Sequence, residues 1–138
     1  MADSSISSQF EGVWKLESSE NFDAYMKVIG ISWAMRQVAS ATKPTLTIVV
    51  NGKHWSLKQE SAVSTTTTEF DVDVEFEETT PDGRVCKSTF SLTPDGKLIQ
   101  QQKGKIESIF TRYIQDGKLV AECEANGVKS VRKYIRIR

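Results

Sequence analysis

The sequence predicts an all-β chain: about ten antiparallel strands wound up-and-down into a barrel, with two short helices between the first strand and the second. Three observations predict it. Turn signals recur at short intervals, as Asn51-Gly52, Pro81 to Gly83, Pro94 to Gly96, Asp116-Gly117 and Asn126-Gly127, and such dipeptides supply the positive φ that tight hairpins need. The runs between them are short and rich in Thr, Val, Ile, Phe and Tyr, as strands are. One segment alone has helical period: Phe22, Tyr25, Met26 and Ile29 fall at i, i+3, i+4 and i+7 in "NFDAYMKVIG".

In chain order, a first strand is read near 10–19. Asn21 is placed to cap the first helix and Gly30 to end it in the left-handed conformation. A second helix runs from about Ser32, its cap, to Thr42, with Pro44 as a stop. Nine strands follow near 45–51, 54–60, 64–71, 73–80, 84–93, 96–103, 106–115, 118–126 and 128–137. The boundary inside "EFDVDVEFEE" is the least marked, since neither Gly nor Pro interrupts it. The chain reads as a single domain over 1–138, with a polar N-terminal extension at 1–9 and a helix-turn-helix lid at 21–42. Side chains and a small ligand fill an eight-stranded barrel, so a ten-stranded one is expected to enclose a cavity.

Strand parity assigns the faces. Leu46, Ile48 and Val50 align. Trp55, Leu57 and Gln59 point in, while His54, Ser56, Lys58 and Glu60 point out. Leu119, Ala121, Cys123 and Ala125 make a small apolar inner face, and Val120, Glu122 and Glu124 an outer one. Ser108, Phe110, Arg112 and Ile114 share a face, as do Arg132, Tyr134, Arg136 and Arg138 in the closing "VRKYIRIR". By parity alone this terminal face is either a solvated edge or an inward one. If inward, Arg112 and Arg132 are buried cations, which need pairing. The inner faces of the last three strands carry no acid, so the expectation is two guanidiniums and a phenol with no resident anion.

Bulk properties narrow the classes. Eighteen basic and eighteen acidic residues give a formal net charge of zero, unlike a nucleic-acid binder. The start "MADSSISSQF" lacks the apolar stretch of a secretory signal. The two cysteines, Cys86 and Cys123, show no metal-ligand spacing and make no disulfide framework. No Ser-His-Asp or Cys-His set is present, since the single histidine, His54, faces out. These features predict a cytoplasmic protein without cofactor or metal, and not an enzyme.

Several blocks carry a resemblance. "FEGVWKLESSENFDAYMKVIGISWAMRQVASATKP", "EFEETTPDGR", "DGKLVAEC" and "GVKSVRKY" resemble the intracellular lipid-binding proteins, specifically the fatty-acid-binding protein family, from Phe10 to the C-terminus. The resemblance implies a lipocalin-like ten-stranded β-clam with a two-helix lid, binding long-chain acyl ligands inside. In the heart, adipocyte, epidermal and myelin subgroup two arginines and a tyrosine hold the carboxylate, and these positions fall on Arg112, Arg132 and Tyr134. The resemblance therefore favours the inward face, and fatty acid over retinol. Another hydrophobic acid, such as retinoic acid, is the alternative. Further family pocket positions fall on Phe22, Tyr25, Met26, Leu46, Ser61, Asp82, Arg84, Phe110 and Cys123. Val63 stands where the portal residue is usually Phe, and Val72-Asp73 replaces a Leu-Gly between strands four and five. The implied partners are a long-chain fatty acid and, transiently, a membrane surface met by the lid through Lys27 and Arg36. No nucleic acid is implied, and the chain is expected to be a monomer. A three-residue nuclear-import patch falls on Lys27, Arg36 and Gln37 and is incomplete.

Overall fold

The structure is a computed structural model describing residues 6–80 and 83–138. Among them, ten strands form one antiparallel sheet: β1 (Gly12–Glu20), β2 (Thr45–Asn51), β3 (His54–Glu60), β4 (Thr65–Asp71), β5 (Phe76–Thr79), β6 (Val85–Leu92), β7 (Leu98–Lys103), β8 (Ser108–Gln115), β9 (Lys118–Ala125) and β10 (Val128–Arg136). The order is β4-β3-β2-β1-β10-β9-β8-β7-β6-β5. The sheet curls into a nearly closed barrel whose two edges, β4 and β5, do not pair. Helices α1 (Phe22–Val28) and α2 (Trp33–Ala41) lie between β1 and β2.

The hairpin dipeptides do what their chemistry allows. Asp116-Gly117 and Asn126-Gly127 take positive φ at both residues (53° and 76°, 48° and 79°), the backbone of a two-residue turn whose twist matches its strands. The β4–β5 corner keeps a left-handed residue without glycine: Asp73 adopts φ 67°, which a short polar side chain tolerates, and its N–H donates to the Phe90 carbonyl at 2.7 Å. Here the fifth strand starts at Phe76, not near residue 73, because the corner consumes the intervening residues. Phe70 from β4 stacks on Phe76 and Phe90 across the unpaired edges, with centroids 6.3 and 3.6 Å apart.

Asn21 does not cap α1 with its side chain. Its backbone is left-handed (φ 60°), and its side-chain amide donates instead to the Lys129 carbonyl at 2.9 Å, tying the lid to β10. Ser32 does cap α2, its Oγ accepting from the Met35 N–H at 3.3 Å. Gly30 is left-handed as expected (φ 90°). Helix α1 has only seven residues, too short to stand alone in water. Its buried face holds it, with Tyr25, Met26 and the following Ile29 enclosed against Cys123 and Ala125 of β9.

The barrel interior divides in two. One end is packed solid by Phe10, Trp14, Ile48, Trp55, Phe70, Phe90 and Leu98, and the other is closed by the lid cluster. Trp14 Nε1 donates to the Phe10 carbonyl at 2.9 Å. Arg136 and Arg138 are exposed, as expected, yet Arg136 has a structural job. Its guanidinium lies 4.2 Å from the Trp14 ring centroid and donates to the Glu11 and Gln9 carbonyls at 2.6 and 2.9 Å. Val120 departs from the predicted outer face: its parity is outward, yet it is buried between its register partners Tyr113 and Lys133.

Candidate functional site

Between the packed end and the lid lies a cavity of about 260 Å³. Its wall is built by strand parity. Alternate residues of β2, β3, β8, β9 and β10 enter it, and α1 roofs it with Phe22, Tyr25 and Met26. Of the residues singled out in the sequence, Phe22, Tyr25, Met26, Leu46, Leu57, Gln59, Ser61, Val63, Arg84, Phe110, Arg112, Cys123, Arg132 and Tyr134 all border it. Asp82 lies outside the described residues. Trp55 is a correction. It is buried and inward, but it packs against Phe10 and Phe70 with centroids 5.7 and 6.0 Å away and does not line the cavity. Parity says which side of the sheet a residue takes, and says nothing of whether that level of the barrel is hollow.

Arg132 is 8% exposed. Its Nη1 donates to Ser19 Oγ at 3.1 Å, and its guanidinium carbon stands 3.8 Å from the Phe22 ring centroid. Both partners are neutral. On its other side Arg132 borders an outer groove of about 500 Å³, between β1 and the lid. The β1 register against β10 shifts there, between Leu16 and Ser18. Arg112 comes from β8. It is half-buried and borders the cavity, and its Nη1 donates to Gln100 Oε1 at 2.8 Å. Burial pulls the Arg112 pKa down, and Cys123, Tyr134 and Glu78 act against that shift.

Glu78 overturns the expectation of a cavity without a resident anion. It comes from β5, outside the three strands on which that expectation rested. It is buried and borders the cavity. Its Oε1 accepts from Ser88 Oγ at 2.5 Å, Gln100 Nε2 at 3.0 Å and Gln102 Nε2 at 3.2 Å. Gln100 thus relays between the Arg112 guanidinium and the Glu78 carboxyl. Leu98, Gln100 and Gln102 share one face of β7, and Leu98 is the register partner of Arg112. The same alternation in "LIQQQ", and in Phe76, Glu78 and Thr80, was available in the sequence as a signal for this polar wall.

Two titratable groups in the roof and wall are neutral at physiological pH. Burial first, against the Ser108 hydrogen bond, pushes the Tyr25 phenol up to about 12. Burial pushes the Cys123 thiol up to about 11, so it is a packing group here and no nucleophile. Outside, His54 is held between carboxylates: Nε2 is 2.9 Å from Glu69 and Nδ1 2.9 Å from Asp71. Arg36, expected with Lys27 to present charge on the lid, is engaged within the lid itself. Its side chain is bonded to Asp23 at 3.0 Å and to the Ile31 carbonyl at 2.7 Å, which staples α2 to α1. Among the described residues no helix is long and apolar enough to cross a membrane.

The chain matches known proteins over nearly its whole length. The profile of the lipocalin / cytosolic fatty-acid binding protein family matches residues 11–137. "Fatty acid-binding protein homolog 5" of Caenorhabditis elegans is 46% identical, covering 93% of this chain and 96% of its own. Among solved structures, the REP1-NXSQ fatty acid transporter superposes with TM-score 0.92 at 41% identity, covering 95% of this chain and 98% of that one. A Schistosoma mansoni fatty acid binding protein in complex with arachidonic acid superposes with TM-score 0.91 at 32% identity, covering 95% and 98%.

Proposed function

This chain belongs to the lipocalin / cytosolic fatty-acid binding protein family, a family of carriers and not of enzymes, and on that premise we propose that it binds one long-chain fatty acid in its barrel and transports it through the cytoplasm as a monomer. The observation that carries this is a mostly apolar cavity with Arg112, Arg132 and Tyr134 on its wall. Arg132 and Tyr134 take the carboxylate, with Arg112 behind them. Arginine presents a planar fork that matches a carboxylate. The acyl chain lies against Met26, Leu46, Leu57, Phe110 and Leu119. Each buried methylene contributes about 0.8 kcal/mol, so the chain supplies most of the affinity and the polar cluster selects acids over alcohols.

Admission requires the lid to part from the barrel rim near the exposed Val63. Helix α2 turns Trp33, Met35 and Val38 to solvent, and these, with Lys27, are the groups through which the lid meets a membrane surface. Arg36 is committed to Asp23 and takes no part. Native mass spectrometry of the purified chain, with extraction of the retained lipid, tests the reading. A free long-chain acid in one-to-one ratio is expected. A chain that retains only neutral lipid, and takes up no added acid, refutes it.

A further inference from the structure

On the cavity wall one buried acceptor, Gln102 Oε1, has no donor among the described residues, and its side chain bonds the Glu78 carboxyl. Glu78 takes all three of its hydrogen bonds on Oε1, and Oε2 receives none from the described residues. Gln102 turns its Nε2 to that carboxyl. A carboxyl oxygen already drawing three donors accepts, so the amide must present N–H there, which points Oε1 away. Gln102 Oε1 is then buried with no partner, on a side chain only 4% exposed. The hydroxyls nearest in register do not serve it: Ser88 donates to Glu78, and Ser108, opposite Gln102, bonds Tyr25. A buried acceptor is rarely left unpaired, and both Gln102 and Glu78 border the cavity.

We propose that Glu78 and Gln102 form a second polar station, receiving a hydroxyl carried on the acyl chain, so that the cavity favours hydroxylated long-chain acids over unsubstituted ones. The station rests on the fatty-acid assignment above and deepens it. Its place fixes where the hydroxyl belongs. Gln100 joins the station to Arg112, and Gln102 lies two residues further along β7, roughly 7 Å at strand spacing. A hydroxyl next to the carboxylate falls short of it, and one at the methyl end overshoots.

Calorimetry on the full chain tests this with a long-chain acid and three isomers hydroxylated near the carboxyl, at mid-chain and near the methyl end. The mid-chain isomer is expected to bind about tenfold more tightly than the parent acid, the yield of one buried hydrogen bond, with smaller gains for the other two. In Gln102→Met, of similar length but without the acceptor, the ratio of the two dissociation constants falls towards one. Equal affinity for parent and mid-chain isomer in the unmodified chain overturns the station, and needs no variant to fold. So does a ratio that survives Gln102→Met in a protein with an unchanged circular dichroism spectrum. A parent acid that does not bind at all refutes the fatty-acid assignment itself, and the station with it.

Discussion

Arg132→Leu isolates the carboxylate contact from the rest of the cavity. Among the described residues Arg132 has one hydrogen bond, to Ser19 at 3.1 Å, and one ring contact, to Phe22 at 3.8 Å. Most of its donors are therefore left for a ligand. A hydrogen bond to a charged group contributes about 1.5–3 kcal/mol, so leucine weakens a long-chain acid by about 10- to 100-fold. The apolar wall is untouched, so the fatty alcohol of equal length changes by less than about threefold. Stability moves little, because the lost Ser19 and Phe22 contacts are offset by removing a desolvated cation. Titration calorimetry with the acid and its alcohol reads both numbers, and the matched Arg112→Leu variant is expected to lose less acid affinity than Arg132→Leu. Unchanged acid affinity, or an equal loss for acid and alcohol, refutes the assignment of Arg132 to the carboxylate.

Two further outcomes follow from other parts of the chain. In Gly12→Ala the new Cβ collides with Arg136 Nη1 and stands 2.6 Å from the Arg138 carbonyl, at φ 136°. Strain of this kind costs about 1–3 kcal/mol, and differential scanning calorimetry is expected to show Tm lowered by several degrees. His54, the sole histidine, is expected to titrate by NMR above the ordinary value of 6.5, since Glu69 first and Asp71 second favour its charged form. A folded pKa raised in this way gives stabilisation that is complete below the ordinary value and is lost as pH rises through the folded one. Glu69→Gln lowers the His54 pKa, and an unshifted titration in that variant refutes the pairing.

The fold was legible because its signals are local. Asn-Gly and Asp-Gly turns mark the hairpins, and the one stretch with helical period is the lid. What the sequence hid depends on the third dimension. Asn21 looks like a cap, but whether its side chain turns to the helix or to Lys129 depends on how β10 passes the lid. Trp55 has inward parity, and only the taper of packing along the barrel excludes it from the cavity. Arg36 looks like a free helix cation until Asp23, thirteen residues earlier, is folded against it. The arginine–tyrosine cluster was half legible: parity made Arg132 and Tyr134 one face, but by itself favoured a solvated edge over the interior. The polar wall of Glu78, Gln100 and Gln102 went unseen because no parity was carried through β5 and β7.

That wall makes the two arginines unequal. Arg112 reaches the Glu78 carboxyl through one amide: Nη1 to Gln100 Oε1 at 2.8 Å, then Gln100 Nε2 to Glu78 Oε1 at 3.0 Å. Arg112 thus has an acidic counterpart within the barrel, and Glu78 is among the groups opposing the fall in its pKa. Arg132 has only a hydroxyl and a ring. Coulomb energy in a low-dielectric interior rewards an anion most where positive charge is least compensated. A ligand carboxylate therefore gains more beside Arg132 than beside Arg112, where Glu78 subtracts from the attraction. On the proposed function, one buried carboxyl thus partners Arg112 through Gln100 and leaves Arg132 as the cation for the ligand acid.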